Sequence, residues 1–404
     1  MRCSGMGSVY SHATQRSGDL DVKSLAIGLF LAACHSTLHA AQSVTTNDVR
    51  LILPKVVWAA VGVEANIYFA NATLIAPENR SHEFVVTCGK GKADAVRWTL
   101  TPTAADVGDA PLKLEVRDAA KKVVATASTT VRVARVDAGQ GKPLRYLPIG
   151  DSLTEPGVYT RKLLQLCARP GNPALTLLGT NASTYGGVAG NVHEGYSGWK
   201  CDTFLTKYNP AFDPKGQPKK AGNSPFIFLE GGKPVFNMAR YITEHCQGTP
   251  PDVATIFLGG NDNAALKPET VEKGADEFFA NIEKVLAALR ATSPKMVLGV
   301  VTMVPDATFP EAAGASAAAK QQLWDYRKIQ HRVVERTYEH FGNREREKIF
   351  VIPAYLNLDA TNHFPWEKVK LNAALSFYYG LHPKDEGYLQ FGDTLYAWLK
   401  NVAP

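Results

Sequence analysis

Between residues 50 and 137, apolar and polar positions alternate in short runs, at 56–58, 66–69, 83–87, 97–100, 112–116 and 123–133. The runs are rich in β-branched and aromatic residues and are parted by Gly, Pro, Asn and Asp, as short strands joined by turns would be. No helical period lies between them, so they predict a small all-β sandwich over 44–137. Residues 137–143 (Asp-Ala-Gly-Gln-Gly-Lys-Pro) then read as a linker.

Past the linker the period changes. Residues 145–149 read as a strand buried on both faces, and 175–178, 253–258, 296–301 and 349–352 repeat that pattern. Helical periods fill the gaps, over 158–166, 268–291, 315–341 and 384–400. Within the last of these, Tyr388, Phe391, Leu395 and Trp398 recur at helical spacing and are expected in the core. Strands alternating with long helices predict a parallel sheet covered on both faces over 142–404. In such sheets, catalytic groups stand on loops at the carboxyl ends of the strands. Residues 201–245 break the alternation with Pro, Gly, Lys and aromatic residues and read as an insertion.

Composition narrows the class. A chain of 404 residues exceeds one typical domain, and 45% hydrophobic with 20% charged residues excludes disorder on a large scale. The net charge of +6 is spread out with no dense Lys/Arg block, which argues against a nucleic-acid partner. Near the start, Lys23 precedes an apolar run at 25–33, the length of a signal-peptide core and too short to span a bilayer. The stretch before it is polar and carries Asp19 and Asp21, so translation is expected to begin near Val22. Two readings of processing stand: cleavage after Ala40 or Ala41, or lipid attachment at Cys34 within Leu31-Ala-Ala-Cys34. Either makes 1–41 a signal region and the mature protein secreted, periplasmic or held at the cell envelope. Nothing else approaches 18 apolar residues, so a transmembrane anchor is not expected. Of the six cysteines none forms a CxxC pair, which argues against zinc. In an exported chain Cys201 and Cys246 are a candidate disulfide.

Four segments carry candidate chemistry: 149–154 (Ile-Gly-Asp-Ser-Leu-Thr), 193–199 (His-Glu-Gly-Tyr-Ser-Gly-Trp), 257–262 (Phe-Leu-Gly-Gly-Asn-Asp) and 380–383 (Gly-Leu-His-Pro). A serine at a strand-to-helix turn can act as a nucleophile if a base accepts its proton, and His382 is chemically suited to that task. Attack on an ester creates an oxyanion, for which the Ser152 N–H, a glycine N–H and the Asn261 amide are candidate donors. Each residue also has an ordinary role: Ser152 as a helix cap, Asn261 with Asp262 in an Asx-turn, His382 on a surface loop. Asp151 reads as a structural hydrogen-bonding residue. His193 and His363 read as loop residues without chemistry. Trp199 divides evenly between lining a sugar pocket and packing.

Four such segments, in order and each at a strand end or before a helix, resemble the GDSL/SGNH hydrolase superfamily over residues 144–400. The resemblance implies a flavodoxin-like three-layer α/β/α hydrolase domain, here preceded by an immunoglobulin-like sandwich. It implies Ser152 as nucleophile, His382 as base, and an oxyanion hole of Ser152, Gly198 and Asn261, with Gly195 as the second choice of glycine. No metal or organic cofactor is called for. One position departs from the family: the aspartate expected three residues before the histidine is Tyr379. A phenol is uncharged at neutral pH and cannot stabilise an imidazolium as a carboxylate does. A main-chain carbonyl, an acid from elsewhere such as Glu386 or Asp359, or an inactive centre are the readings that remain.

Export, the added sandwich and the insertion's aromatic residues (Phe204, Tyr208, Phe212, Phe226, Phe228) favour acylated poly- or oligosaccharides, acetylated ones above all. Deacylation of lysophospholipids or thioesters, transfer of the acyl group to a sugar, and glycan binding without catalysis are the other readings.

Overall fold

The computed structural model describes residues 44–46, 49–76, 81–182, 188–212, 222–263, 265–307, 317–365 and 380–402. The apolar run at 25–33, Cys34 and Tyr379 lie outside them. Among the described residues no helix is long and apolar enough to cross a membrane.

The first part holds strands β1 (Val44–Thr46), β2 (Val49–Leu51), β3 (Val56–Ala60) and β4 (Ala65–Tyr68), then the one-turn helix α1 (Phe69–Ala72). Strands β5 (Thr73–Ile75), β6 (Glu83–Cys88), β7 (Lys92–Ala93), β8 (Arg97–Leu100), β9 (Gly108–Arg117) and β10 (Val123–Ala134) follow. They pair as three sheets, ordered β1-β2-β5, β3-β10-β9-β6 and β4-β8-β7, antiparallel except that β3 runs parallel to β10. On β9 and β10 alternate residues are buried (Leu112, Leu114 and Val116 against Ala125, Ala127 and Val131), as the two-residue period of a strand requires.

The second part contains β11 (Pro143–Gly150), α2 (Val158–Cys167), β12 (Ala174–Leu177), β13 (Asn181–Ala182), β14 (Val192–Gly195) and α3 (Cys201–Thr206). Next come the hairpin β15 (Ile227–Glu230) and β16 (Lys233–Phe236), then α4 (Met238–His245), β17 (Val253–Phe257), α5 (Gly260–Asn263) and α6 (Val271–Thr292). Strand β18 (Val297–Val301), α7 (Ala317–Phe341), β19 (Ile349–Ile352) and α8 (Asp385–Val402) complete it. The main sheet runs β13-β14-β11-β17-β18-β19, with β12 beside the first half of β11, and every pairing is parallel except β13 with β14.

The strand period sorts this sheet's side chains into two cores. Tyr146, Val253, Phe257, Val297 and Val301 face α2 and α8. Leu147, Ile149, Ala254, Ile256, Leu298 and Val300 face α6 and α7. Both cores also take side chains from the N-terminal sheets: Trp58, Ala60 and Val63 in the first, and Leu51, Ile67 and Leu114 in the second. All described residues belong to one compact unit.

Two expectations need correction. Cys201 and Cys246 are free buried thiols rather than a disulfide, each packed among apolar side chains that push its pKa up, to about 11 for Cys246. Among the described residues of 201–245 are α3, a hairpin and α4, and Phe204 and Phe226 are turned fully into the core. Phe204 packs edge-on to Trp199 and Phe226 edge-on to Tyr241, so these rings present no face to a sugar.

Candidate active site

Strand β11 ends at Gly150, and the chain turns at once towards α2. A side chain at position 150 would meet Thr154 and the Phe257 carbonyl well inside contact distance, so glycine alone lets the turn close. Asp151 organises the turn: its carbonyl accepts from the Thr154 and Glu155 N–H groups, and its Oδ1 accepts from the Leu153 N–H at 3.0 Å. Ser152 is thereby raised at the carboxyl end of the sheet, half-buried. Its Oγ stands 2.9 Å from His382 Nε2, within range for the hydroxyl to donate to the ring.

Histidine 382 comes from the turn before α8. That turn is held at both ends, by Ala307 N–H donating to the Gly380 carbonyl (2.8 Å) and Lys384 N–H donating to the His363 carbonyl (2.7 Å). Asn261 follows β17 and lines the same cavity as Ser152 and His382, with Met303, Val304 and Tyr326 as further walls. The cavity measures about 60 Å³. Asn261 Nδ2 donates to Asp151 Oδ2 (3.2 Å) and to the Trp199 carbonyl (3.1 Å). These two bonds tie the three strand-end loops together.

The loop at 195–199 presents two glycines of different use. Gly195 spends its N–H on His193 Nδ1 and its carbonyl on Asn181, within the sheet beside Gly150. Gly198 is exposed at φ +78°, a conformation glycine adopts without strain, and its N–H makes no hydrogen bond among the described residues. The same holds for the Ser152 N–H. Gly198 is absent from the cavity wall itself but is one residue from the carbonyl that holds Asn261. Trp199 is buried, stacks on Tyr196 at 4.2 Å and carries the Lys207 ammonium over its ring; it packs and does not line the cavity.

Burial governs the acids. Asp151 is pushed up to about 7 and Asp262 to about 6, burial being the main cause in each. Asp262 Oδ1 accepts from the Cys201 N–H at 2.9 Å, which anchors the start of α3. Neither proposed distant acid is placed on His382. Glu386 is exposed on the first turn of α8. Asp359 accepts from the Thr361 and Asn362 N–H groups and from the Tyr68 hydroxyl.

Glu194 escaped the sequence reading. It is fully buried and accepts from Tyr241 OH (2.6 Å), Tyr196 OH (2.7 Å), Thr180 N–H (2.7 Å) and Thr180 Oγ1 (3.0 Å), which clamps the loop that carries Gly195 and Gly198. Its partners are up to 47 residues away, so only its place inside the second motif marked it. His193 is likewise buried in β14 rather than on a loop, and His363 Nδ1 donates to Gln390 Oε1 (3.0 Å). Among the described residues no group of His, Cys, Asp and Glu could hold a metal ion.

The model of the GDSL-like lipase/acylhydrolase family matches residues 149–389, more than half of the chain. No curated protein matches it. Similar solved structures include a family 3 carbohydrate esterase of Clostridium thermocellum, at 19% identity and TM-score 0.38 over 65% of this chain and 100% of that one. A family 3 carbohydrate esterase of Talaromyces cellulolyticus is similar at 16% identity and TM-score 0.37, over 64% of this chain and 98% of that one.

Proposed function

Since the chain belongs to the GDSL-like lipase/acylhydrolase family, we propose that it is a serine esterase that removes short acyl groups, acetyl above all, from carbohydrate hydroxyls. One observation carries the reading: Ser152 Oγ lies 2.9 Å from His382 Nε2 at the wall of a cavity of about 60 Å³. That space leaves room for an acetyl group beside Ser152.

In the first half-reaction His382 Nε2 accepts the hydroxyl proton as Ser152 Oγ attacks the ester carbonyl carbon. The carbonyl oxygen gathers the charge and draws on the Ser152 N–H, the Gly198 N–H and the Asn261 amide, which is oriented beforehand by Asp151 and Trp199. The bond to the alcohol oxygen then breaks, and the imidazolium returns its proton to the departing alkoxide. Water then attacks the acyl-serine carbon and gives a proton to His382; as the bond to Oγ breaks, the imidazolium returns that proton to Oγ, which releases the carboxylic acid and restores Ser152 and neutral His382. Each half-reaction begins with His382 neutral, so activity falls as the free enzyme's ring protonates.

The carbohydrate part rests on the export expected from the apolar run at 25–33 and on an insertion at 201–245 rich in Lys, Pro and Gly, unlike the apolar cover a lipid chain calls for. Comparison of wild type with Ser152→Ala on p-nitrophenyl acetate and p-nitrophenyl octanoate tests the reading. Wild type is expected to cleave the acetate faster than the octanoate, and Ser152→Ala to lose about 10³-fold or more in kcat. Equal rates for the two proteins would remove Ser152 as nucleophile. Release of acetate from an acetylated xylan, read against a lysophospholipid, checks the alcohol side.

A further inference from the structure

The turn that presents His382 does not rest on the hydrolase elements alone. A buried polar seam runs from the N-terminal sheets to it. On the sheet side stand Asn66, Tyr68 and Asn71, each at 5% exposure or less. Asn71 Nδ2 donates to the Tyr355 carbonyl (2.9 Å) and the Leu358 carbonyl (2.7 Å). Asn66 donates to Asn357 Oδ1 through both its main-chain N–H and its Nδ2, each at 2.9 Å. Tyr68 donates through its N–H to the Leu356 carbonyl (3.0 Å) and through its hydroxyl to Asp359 Oδ2 (3.3 Å).

Residues 355–359 pass this grip onward. Asn357 Nδ2 donates to the Gln390 carbonyl and to Thr394 Oγ1, both at 3.1 Å. Asp359 N–H donates to Gln390 Oε1 (2.8 Å), which also bonds His363 Nδ1 (3.0 Å). The His363 carbonyl in turn receives the Lys384 N–H, two residues from the base. Gly387 fits between Pro383, Leu358 and that same carbonyl, where a methyl group would meet Pro383 at 2.6 Å.

Apolar surfaces tolerate sliding, whereas side-chain amides bonded to buried carbonyls fix register and orientation. We propose that the N-terminal sheets position the catalytic base: Asn66, Tyr68 and Asn71 set residues 355–359, and these set the turn that aims His382 at Ser152. They are positioning residues and touch no substrate. The inference rests on the reading of Ser152 and His382 as the reacting pair.

The test uses the full chain and p-nitrophenyl acetate, well below the melting temperature of every variant. Ser152→Ala is measured first, and if it retains the wild-type rate the underlying reading fails before the seam is addressed. Tyr68→Phe, which keeps the ring and loses only the hydroxyl, and Asn71→Ala are then compared with Val116→Ala. Val116 is buried on β9, in the neighbouring N-terminal sheet, and its apolar side chain takes no part in the seam's hydrogen bonds. Both seam variants are expected to lose about ten-fold in kcat with KM within about two-fold, because a small misplacement of a base is costly. Val116→Ala is expected to melt lower and keep its kcat. If kcat in the seam variants stays at the wild-type value, or falls in Val116→Ala by the same factor, the sheets support the fold only and the proposal is overturned.

Discussion

Asp151 occupies the position where the demands of fold and chemistry meet most closely. Its carboxyl group orders the turn through Leu153 and holds Asn261, yet it is buried and pushed up to about 7 from an ordinary 3.8. A carboxyl raised on folding stabilises the protein fully below its unfolded value, and that contribution is lost as pH rises through the folded value. Between pH 4 and pH 7 wild type therefore gives up stability at this residue, on the order of 4 kcal/mol for three units at 1.36 kcal/mol each. Asp151→Asn, which cannot ionise, is expected to show a flatter dependence of urea unfolding free energy on pH across that window. An unchanged slope would mean that the carboxyl is already ionised in the fold. The residues that meet at the cavity were legible in the sequence, because Ser152, Asn261 and His382 each sit in a short motif at a strand or helix end. Glu194, Met303 and Tyr326 were not, since a buried carboxylate's donors and a cavity's walls come from distant segments that no local motif announces.

At the scale of elements, the long apolar periods predicted β17, β18, β19, α6 and α8 to within a few residues. Where burial is two-sided the pattern is unmistakable, as in the five buried residues of β17 and of β18. The two-residue β13 and the hairpin β15–β16 went unseen, being too short to show a period. Helix α7 carries a second pH-sensitive group, His331, which burial, aided by nearby Arg327, pushes down to about 3. The sign is opposite to that of Asp151. A histidine depressed in the fold contributes stability above its unfolded value near 6.5, and loses it as pH falls towards 3. His331→Leu is expected to narrow the difference in melting temperature between pH 7 and pH 4.5, measured by calorimetry. A gap as wide as that of wild type would place the acid sensitivity elsewhere.

Over the whole molecule, the change of period at residue 137 marks off a sandwich over 44–137 from an α/β part over 142–404, and side chains on either side of it share both hydrophobic cores. Periodicity is a local signal and cannot report which surfaces meet. Residues 142–404 expressed alone would expose the partners of Leu51, Ile67 and Trp58, apolar area worth about 25 cal/mol per Å². That fragment is expected to be insoluble or to lack a cooperative unfolding transition, checked by circular dichroism during urea titration. Cooperative melting near that of the full chain would show the hydrolase part to be self-sufficient. The shared cores bear also on how such a chain can be recombined. A crossover at the apparent linker would join halves whose buried faces had been shaped by different histories, and most chimeras would fail. The exposed turn at Gly231–Gly232, between the two strands of the hairpin, lies far along the chain from that seam and tolerates exchange better. A library that varies this turn alone would keep both interiors intact while changing what the hairpin presents at the surface.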